Sequence, residues 1–261
     1  MRFIFSKYQG TGNDFIMADN RDSRWRLSKG QIMRLCDRHF GIGSDGLILI
    51  GASDDSDFFM DFYNPDGSQS FCGNGSRCAV DFFRKISGGV GERFTFRAID
   101  GLHEAIWSPD EIRIKMKDVS DIELCGEGVR IHTGSPHLLR YVPVPDDVDV
   151  FTEGREIRYS EPWKEEGINV NFIGLAGDDH IVMRTYERGV ENETLSCGTG
   201  VTAAALSYHH LHGGAGDVRV DTMGGQLRVM FREKKDAGYE DIWLCGPGKE
   251  VFQGEIELIQ E

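Results

Sequence analysis

Two stretches of the chain alternate apolar and polar residues with helical spacing. Between Cys72 and Gly89, Cys78, Ala79, Phe82, Phe83 and Ile86 fall on recurring turns. Between Cys197 and Gly214, Ala204, Ala205, Tyr208 and Leu211 do the same. Each run predicts a helix that stops at its terminal Gly-Gly, because glycine readily ends a helix in a left-handed conformation. Both helices are apolar over much of their surface, which predicts that each sits inside a half of the protein. Strand-like runs flank them in the same order. "FFMDFYN" (58–64) precedes the first helix and "IVMRTYER" (181–188) the second. "RFTFRAIDGLHEAIW" (93–107) and "VRVDTMGGQLRVMF" (218–231) follow, each reading as two strands about a glycine.

The order repeats because the sequence does. "CGNGSRCAVDFFRKISGG" and "CGTGVTAAALSYHHLHGG" both read Cys-Gly-x-Gly and both close on Gly-Gly after the same interval. The segments Gly12-Asn13-Asp14-Phe15 and Gly134-Ser135-Pro136-His137 echo each other ahead of the helices. The pattern predicts a duplicated α+β unit of two pseudo-symmetric halves, each a sheet of mostly short strands wrapped around one central helix. The expected halves are 1–118 with 249–261, and 119–248, the final run "EIELI" returning to the first half.

Composition narrows the function. Lys plus Arg number 29 against 43 Asp plus Glu, a formal charge of −14, which disfavours a protein that tracks nucleic-acid phosphates. No apolar run is long enough to span a bilayer, and Met1 to Tyr8 lack a signal-peptide apolar region. The expectation is a cytoplasmic protein acting on a small molecule, with no nucleic-acid or membrane partner. The 6 cysteines contain no Cys-x-x-Cys, which weakens a thiol-redox or metal-binding module. Cys36, Cys78, Cys125 and Cys245 read as ordinary thiols. "GIGSDG" (41–46) precedes a strand, not a helix, and so does not read as a dinucleotide loop. His209, His210 and His212 suit a helix C-terminus better than a metal, and "SDDSD" (53–57) reads as a solvated turn. No metal or organic cofactor is expected.

Cys72 and Cys197 differ from the other four. Each stands at a helix start, where the thiolate is favoured and backbone N–H groups point outward. Two such thiols facing each other across a cleft suit inversion of one carbon: a thiolate removes a proton from one face and a thiol returns one to the other. The N–H groups at both helix starts could hold the carboxylate into which the carbanion charge moves. This chemistry favours racemisation or epimerisation of an amino acid.

At these residues the chain resembles the diaminopimelate epimerase family. The resemblance runs through "GTGNDF" (10–15), "RHFGIGSDGL" (38–47), "FYNPDGS" (62–68), "CGNGSRC" (72–78), "GSPH" (134–137), "NVNF" (169–172), "YERGVENETLSCGTG" (186–200) and "GPG" (246–248). It implies two halves, each a strand barrel about its helix, forming a homodimer that interconverts LL- and meso-diaminopimelate for lysine and peptidoglycan-precursor synthesis. It implies that Cys72 and Cys197 are the acid–base pair. Asn13, Gly73, Asn74, Gly198 and Thr199 would surround the reacting amino-acid group, and Asn64, Asn169, Glu187 and Arg188 the distal one. His137 and Glu187 would tune the thiols. The chain departs from the family at Ser135, where many members carry Asn, and at Gly46, where some carry Gln. The loop before Cys197 is one residue longer than in some members. A racemase or epimerase for proline or hydroxyproline is the same-fold alternative.

Overall fold

The computed structural model describes residues 2–258, apart from Glu127 and Pro162. The chain divides into two compact units. One runs to Ile114 and resumes at Gly246; the other is Lys115–Cys245. Residues 115–118 fall in the second unit, where the Met116 N–H donates to the Ile242 carbonyl and Val119 bridges Tyr239. Gly246–Gly248 fall in the first, where the Pro247 carbonyl accepts from Arg77 Nε at 3.1 Å. Ile259, the last residue of "EIELI", lies outside the described residues.

The first unit contains β1 (Arg2–Gly10), β2 (Asn13–Asp19), α1 (Lys29–Cys36), β3 (Gly46–Gly51), β4 (Phe58–Tyr63), α2 (Gly73–Ile86), β5 (Arg93–Ala98), β6 (Gly101–Trp107), β7 (Ile112–Lys115, ending at the boundary) and β17 (Lys249–Glu257). The second contains β8 (Ile122–Cys125), β9 (Gly128–His132), β10 (Pro136–Tyr141), α3 (Val150–Arg158), β11 (Asn169–Gly177), β12 (His180–Glu187), β13 (Asn192–Thr194), α4 (Gly198–His212), β14 (Asp217–Thr222), β15 (Gly225–Glu233) and β16 (Tyr239–Gly246, its last residue across the boundary).

Strand pairing shows the duplication. In the first unit the sheet runs β17-β1-β2-β3-β4-β5-β6-β7. In the second it runs β8-β9-β10-β11-β12-β14-β15-β16. The sense of successive pairs is identical: antiparallel, antiparallel, parallel, antiparallel, parallel, antiparallel, antiparallel. Each parallel pair needs a crossover. In the first unit α1 lies in the β2-to-β3 crossover and α2 in the β4-to-β5 crossover. α3 and α4 take the same places in the second, where β13 is an added strand beside β12.

Side-chain alternation explains the layers. On β2 and β3, Phe15, Met17, Ile48 and Ile50 face α2 and pack with Cys78, Ala79 and Phe82. Ile16, Ala18, Leu47 and Leu49 face the other way and pack with Ile32, Leu35 and Cys36 of α1. β3 is therefore an unbroken apolar run, "GLILIG", as a strand covered on both faces should be. In the second unit Val170 and Phe172 of β11 pack outward with Val150 of α3, leaving Asn169, Asn171 and Ile173 on the α4 face. α4 is buried continuously from Gly200 to Tyr208, which its alanines permit. α2 packs against β1, β2, β3, β4, β6 and β17, and α4 against β9, β10, β11, β12, β14 and β15. Each central helix ends as its glycines require: the Gly89 N–H returns to Arg84 O and the Gly213 N–H to His209 O, both glycines at positive φ.

Candidate active site

Each Cys-Gly-x-Gly motif makes its cysteine the N-cap of a central helix. Cys72 caps α2 with extended backbone and its Sγ accepts from the Gly75 N–H. Cys197 caps α4 in the same conformation. Gly73, Asn74, Gly198 and Thr199 therefore occupy first turns, where N–H groups have no intrahelical acceptor and the helix dipole is positive. The second glycine of each motif has a packing reason. A Cβ on Gly75 would lie 2.9 Å from Ile48 Cδ1, and one on Gly200 would lie 2.7 Å from Asn171 Oδ1.

In the first unit a two-residue hairpin delivers Asn13 to Cys72. Gly10 pairs with Asn13, so Thr11 and Gly12 form the turn, at φ 51° and 83°. Positive φ at both central residues matches the right-handed twist of the strands, but a β-branched residue adopts it at a cost. Thr11 is held there by Arg77 of α2, whose Nη2 donates to Thr11 Oγ1 at 3.1 Å and to Asn74 Oδ1 at 3.0 Å. Asn13 Oδ1 then receives the Cys72 thiol at 3.7 Å and Asn74 Nδ2 at 3.4 Å. Its Nδ2 donates to Asp45 at 2.7 Å. Asp45 and Asp14 share Arg38, and Asp14 also pairs with the buried Lys7. Burial raises the Asp14 pKa, but the Arg38 and Lys7 cations outweigh it and hold the carboxyl at about 2. Asn64 stands apart from this cluster: its amide donates to the carbonyl and hydroxyl of Ser68 and to Ser70 Oγ, closing the 64–70 loop.

In the second unit the predicted residues form two clusters. In one, Cys197 Sγ lies 3.5 Å from Thr199 Oγ1, which lies 2.9 Å from His137 Nε2. In the other, Ser135 Oγ accepts from Asn169 Nδ2 at 2.8 Å and from Arg188 Nη2 at 3.3 Å, while Asn169 Oδ1 accepts the Arg188 N–H. The short Ser135 thus bridges a buried amide and an exposed guanidinium. Burial pushes the Glu187 carboxyl up, partly opposed by the Thr194 hydroxyl that donates to it at 2.8 Å. Gly46 has no room for the Gln of other members, because a Cβ there would lie 2.3 Å from the Phe62 ring.

Sequence reasoning did not single out Asn171, Thr133, Thr185, Asp45 or Arg77. For Asn171 a signal existed: "NVNF" puts Asn169 and Asn171 on one strand face. Among the described residues no three His, Cys, Asp or Glu side chains come together as a metal site. His209 instead meets the Tyr239 hydroxyl at 3.0 Å, and His212 packs against Tyr141 and Tyr208. Cys36, Cys78 and Cys245 are buried and Cys125 partly so.

Duplicated α+β units, each wrapped around a central helix, define the structural class. A solved phenazine biosynthesis protein of the PhzF family from Bacillus anthracis shares the fold, with a TM-score of 0.77 at 12% identity over 98% of this chain and 99% of that one. Within that class, the family model described as diaminopimelate epimerase matches residues 5–122 and 129–241. A diaminopimelate epimerase of Flavobacterium psychrophilum is 43% identical over 96% of this chain and 98% of its own length. One of Chlorobaculum tepidum is 40% identical over 95% and 99%. The chain belongs to the diaminopimelate epimerase family.

Proposed function

We propose that this protein interconverts LL- and meso-2,6-diaminopimelate, with Cys72 and Cys197 as the acid–base pair. The observation that carries the reading is the repeated N-cap cysteine, found once on each central helix. One sulfur, as thiolate, removes the α-proton from one face of the carbon; the other, as thiol, donates a proton to the opposite face. In the reverse direction the roles exchange. The carbanion spreads its charge into the α-carboxylate, which the first-turn N–H groups of Gly73, Asn74, Gly198 and Thr199 stabilise without reorganising. Asn13, locked by Asp45, lines the same group.

Arg188 grips the distal carboxylate in bidentate fashion, Glu187 accepts from the distal ammonium, and Asn64, Asn169 and Ser135 complete the polar surround. A substrate with two amino-acid ends uses all of these, whereas proline or hydroxyproline leaves Arg188 and Glu187 idle. The chain needs no organic cofactor in this scheme. No helix among the described residues is long and apolar enough to cross a membrane; a cytoplasmic homodimer is the assembly we propose, testable by light scattering and cell fractionation.

The test is to incubate the reduced protein with LL-diaminopimelate in heavy water. Deuterium at the α-carbon together with the meso isomer is the expected result; a folded, reduced protein that turns over none refutes the reading. Cys72→Ala and Cys197→Ala should each stay folded and lose epimerisation by at least about 100-fold, a typical contribution of one acid–base group.

A further inference from the structure

We infer that Asn171 is a positioning residue: it fixes His137 in one tautomer and, through Thr199, directs a hydrogen bond to Cys197. The inference rests on reading Cys197 as one of the acid–base pair.

The argument starts from the Asn171 amide, which is fully buried on β11. Its Nδ2 lies 3.1 Å from the Leu138 carbonyl oxygen and 3.5 Å from that of Asn169. Carbonyl oxygens only accept, so this end is the NH2. Oδ1, at the other end, accepts from the Thr185 hydroxyl at 3.0 Å. The NH2 also faces His137 Nδ1 at 3.2 Å. Nδ1 therefore presents its lone pair.

His137 is buried and neutral. Burial, assisted by His132 on β9 and by Arg188, pushes its pKa down to about 3. A neutral ring with a bare Nδ1 carries its proton on Nε2. Nε2 lies 2.9 Å from Thr199 Oγ1 and donates to it. With that lone pair engaged, the Thr199 hydroxyl proton is free to point to Cys197 Sγ at 3.5 Å. The Thr133 hydroxyl donates to the Thr199 carbonyl at 2.7 Å and holds the residue in place.

The direction of the chain follows from its first link. In the other tautomer Nε2 would be an acceptor and would compete with sulfur for the threonine proton. Asn171 thus keeps the hydroxyl aimed at Cys197, where it stabilises the thiolate without being charged itself. Gly200 belongs to the device, since its missing side chain leaves room for Asn171 Oδ1 and for His137 Cε1.

Nitrogen-15 NMR of histidine-labelled wild-type protein tests the first half. His137 should carry its proton on Nε2 and stay neutral at mildly acidic pH; an Nδ1–H ring or an imidazolium overturns the inference. The second half is read in a Cys72→Ala background, by the pH dependence of Cys197 alkylation followed by mass spectrometry. Asn171→Leu should mix the tautomers and raise the alkylation midpoint by about one pH unit, about tenfold less thiolate. Thr199→Val should raise the midpoint equally with the tautomer intact, and Thr199→Ser should restore it. An unmoved midpoint in Thr199→Val overturns the inference, and this pair decides the matter even if Asn171→Leu does not fold. Normal epimerisation by Cys197→Ala would instead sink the acid–base reading, while the His137 spectrum still reported the tautomer.

Discussion

Alanine at Gly200 is expected to destabilise the protein although it replaces glycine in a helix. On propensity alone the change favours the helix by about 1 kcal/mol. The structure opposes it, because the new Cβ would stand 2.7 Å from Asn171 Oδ1 and 3.3 Å from His137 Cε1. Asn171 cannot swing away cheaply. Its oxygen is held by Thr185, and its NH2 by Leu138 O and His137. Rotation would strand buried donors and acceptors at roughly 1–3 kcal/mol, and residual overlap adds a cost of similar size. The net loss is about 2 kcal/mol, or about 4–8 °C in melting temperature for a chain of this length. Gly75→Ala is the comparison: its Cβ meets the terminal methyl of the buried Ile48 at 2.9 Å and no hydrogen-bonded group, so it should cost clearly less than Gly200→Ala. Thermal unfolding gives the first comparison. Native-state hydrogen exchange then separates α4 from α2, which matters because two units need not unfold as one. A Gly200→Ala protein as stable as the wild type would refute the packing argument.

Two further outcomes follow from the charged groups. Asp14 is held at about 2, below its ordinary range, so it contributes stability above the unfolded pKa that is lost as pH falls from about 4 to about 2. Asp14→Asn should lower stability at neutral pH by about 1 kcal/mol, since solvent screens part of the cluster, and flatten urea-unfolding stability across that acidic window; an unchanged slope would count against the ion cluster. Arg188→Lys keeps the charge but not the bidentate fork, so steady-state kinetics should show KM for diaminopimelate raised about tenfold or more with kcat largely kept.

The duplicated helices were legible because their signal is local. Cys72 and Cys197, with the glycines after them and the Gly-Gly ends, announce cap, helix and stop without reference to the rest of the chain. Strand sense was not legible. Whether β2 pairs parallel or antiparallel with β3 depends on where α1 carries the chain, and α1 and α3 are short helices read from neither motif. The thiols and Arg188 carry distinctive chemistry and stood out. Asn171 and Thr185 did not, because a buried amide and hydroxyl look in sequence like any polar residue in a strand. Their importance lies in orientation, which only neighbouring carbonyls such as that of Leu138 determine.

β1 is flanked by β2 on one side and β17 on the other, and Arg2 pairs with Glu257. During vectorial synthesis the whole second unit leaves the ribosome before β17, the second partner of β1, exists. Residues Lys115–Cys245 can collapse around α4 while the earlier unit still shows an open strand edge, a feature that invites mispairing with other chains. β17 thus acts as a latch, and shortening it should harm expression yield more than it harms chemistry in the molecules that do mature.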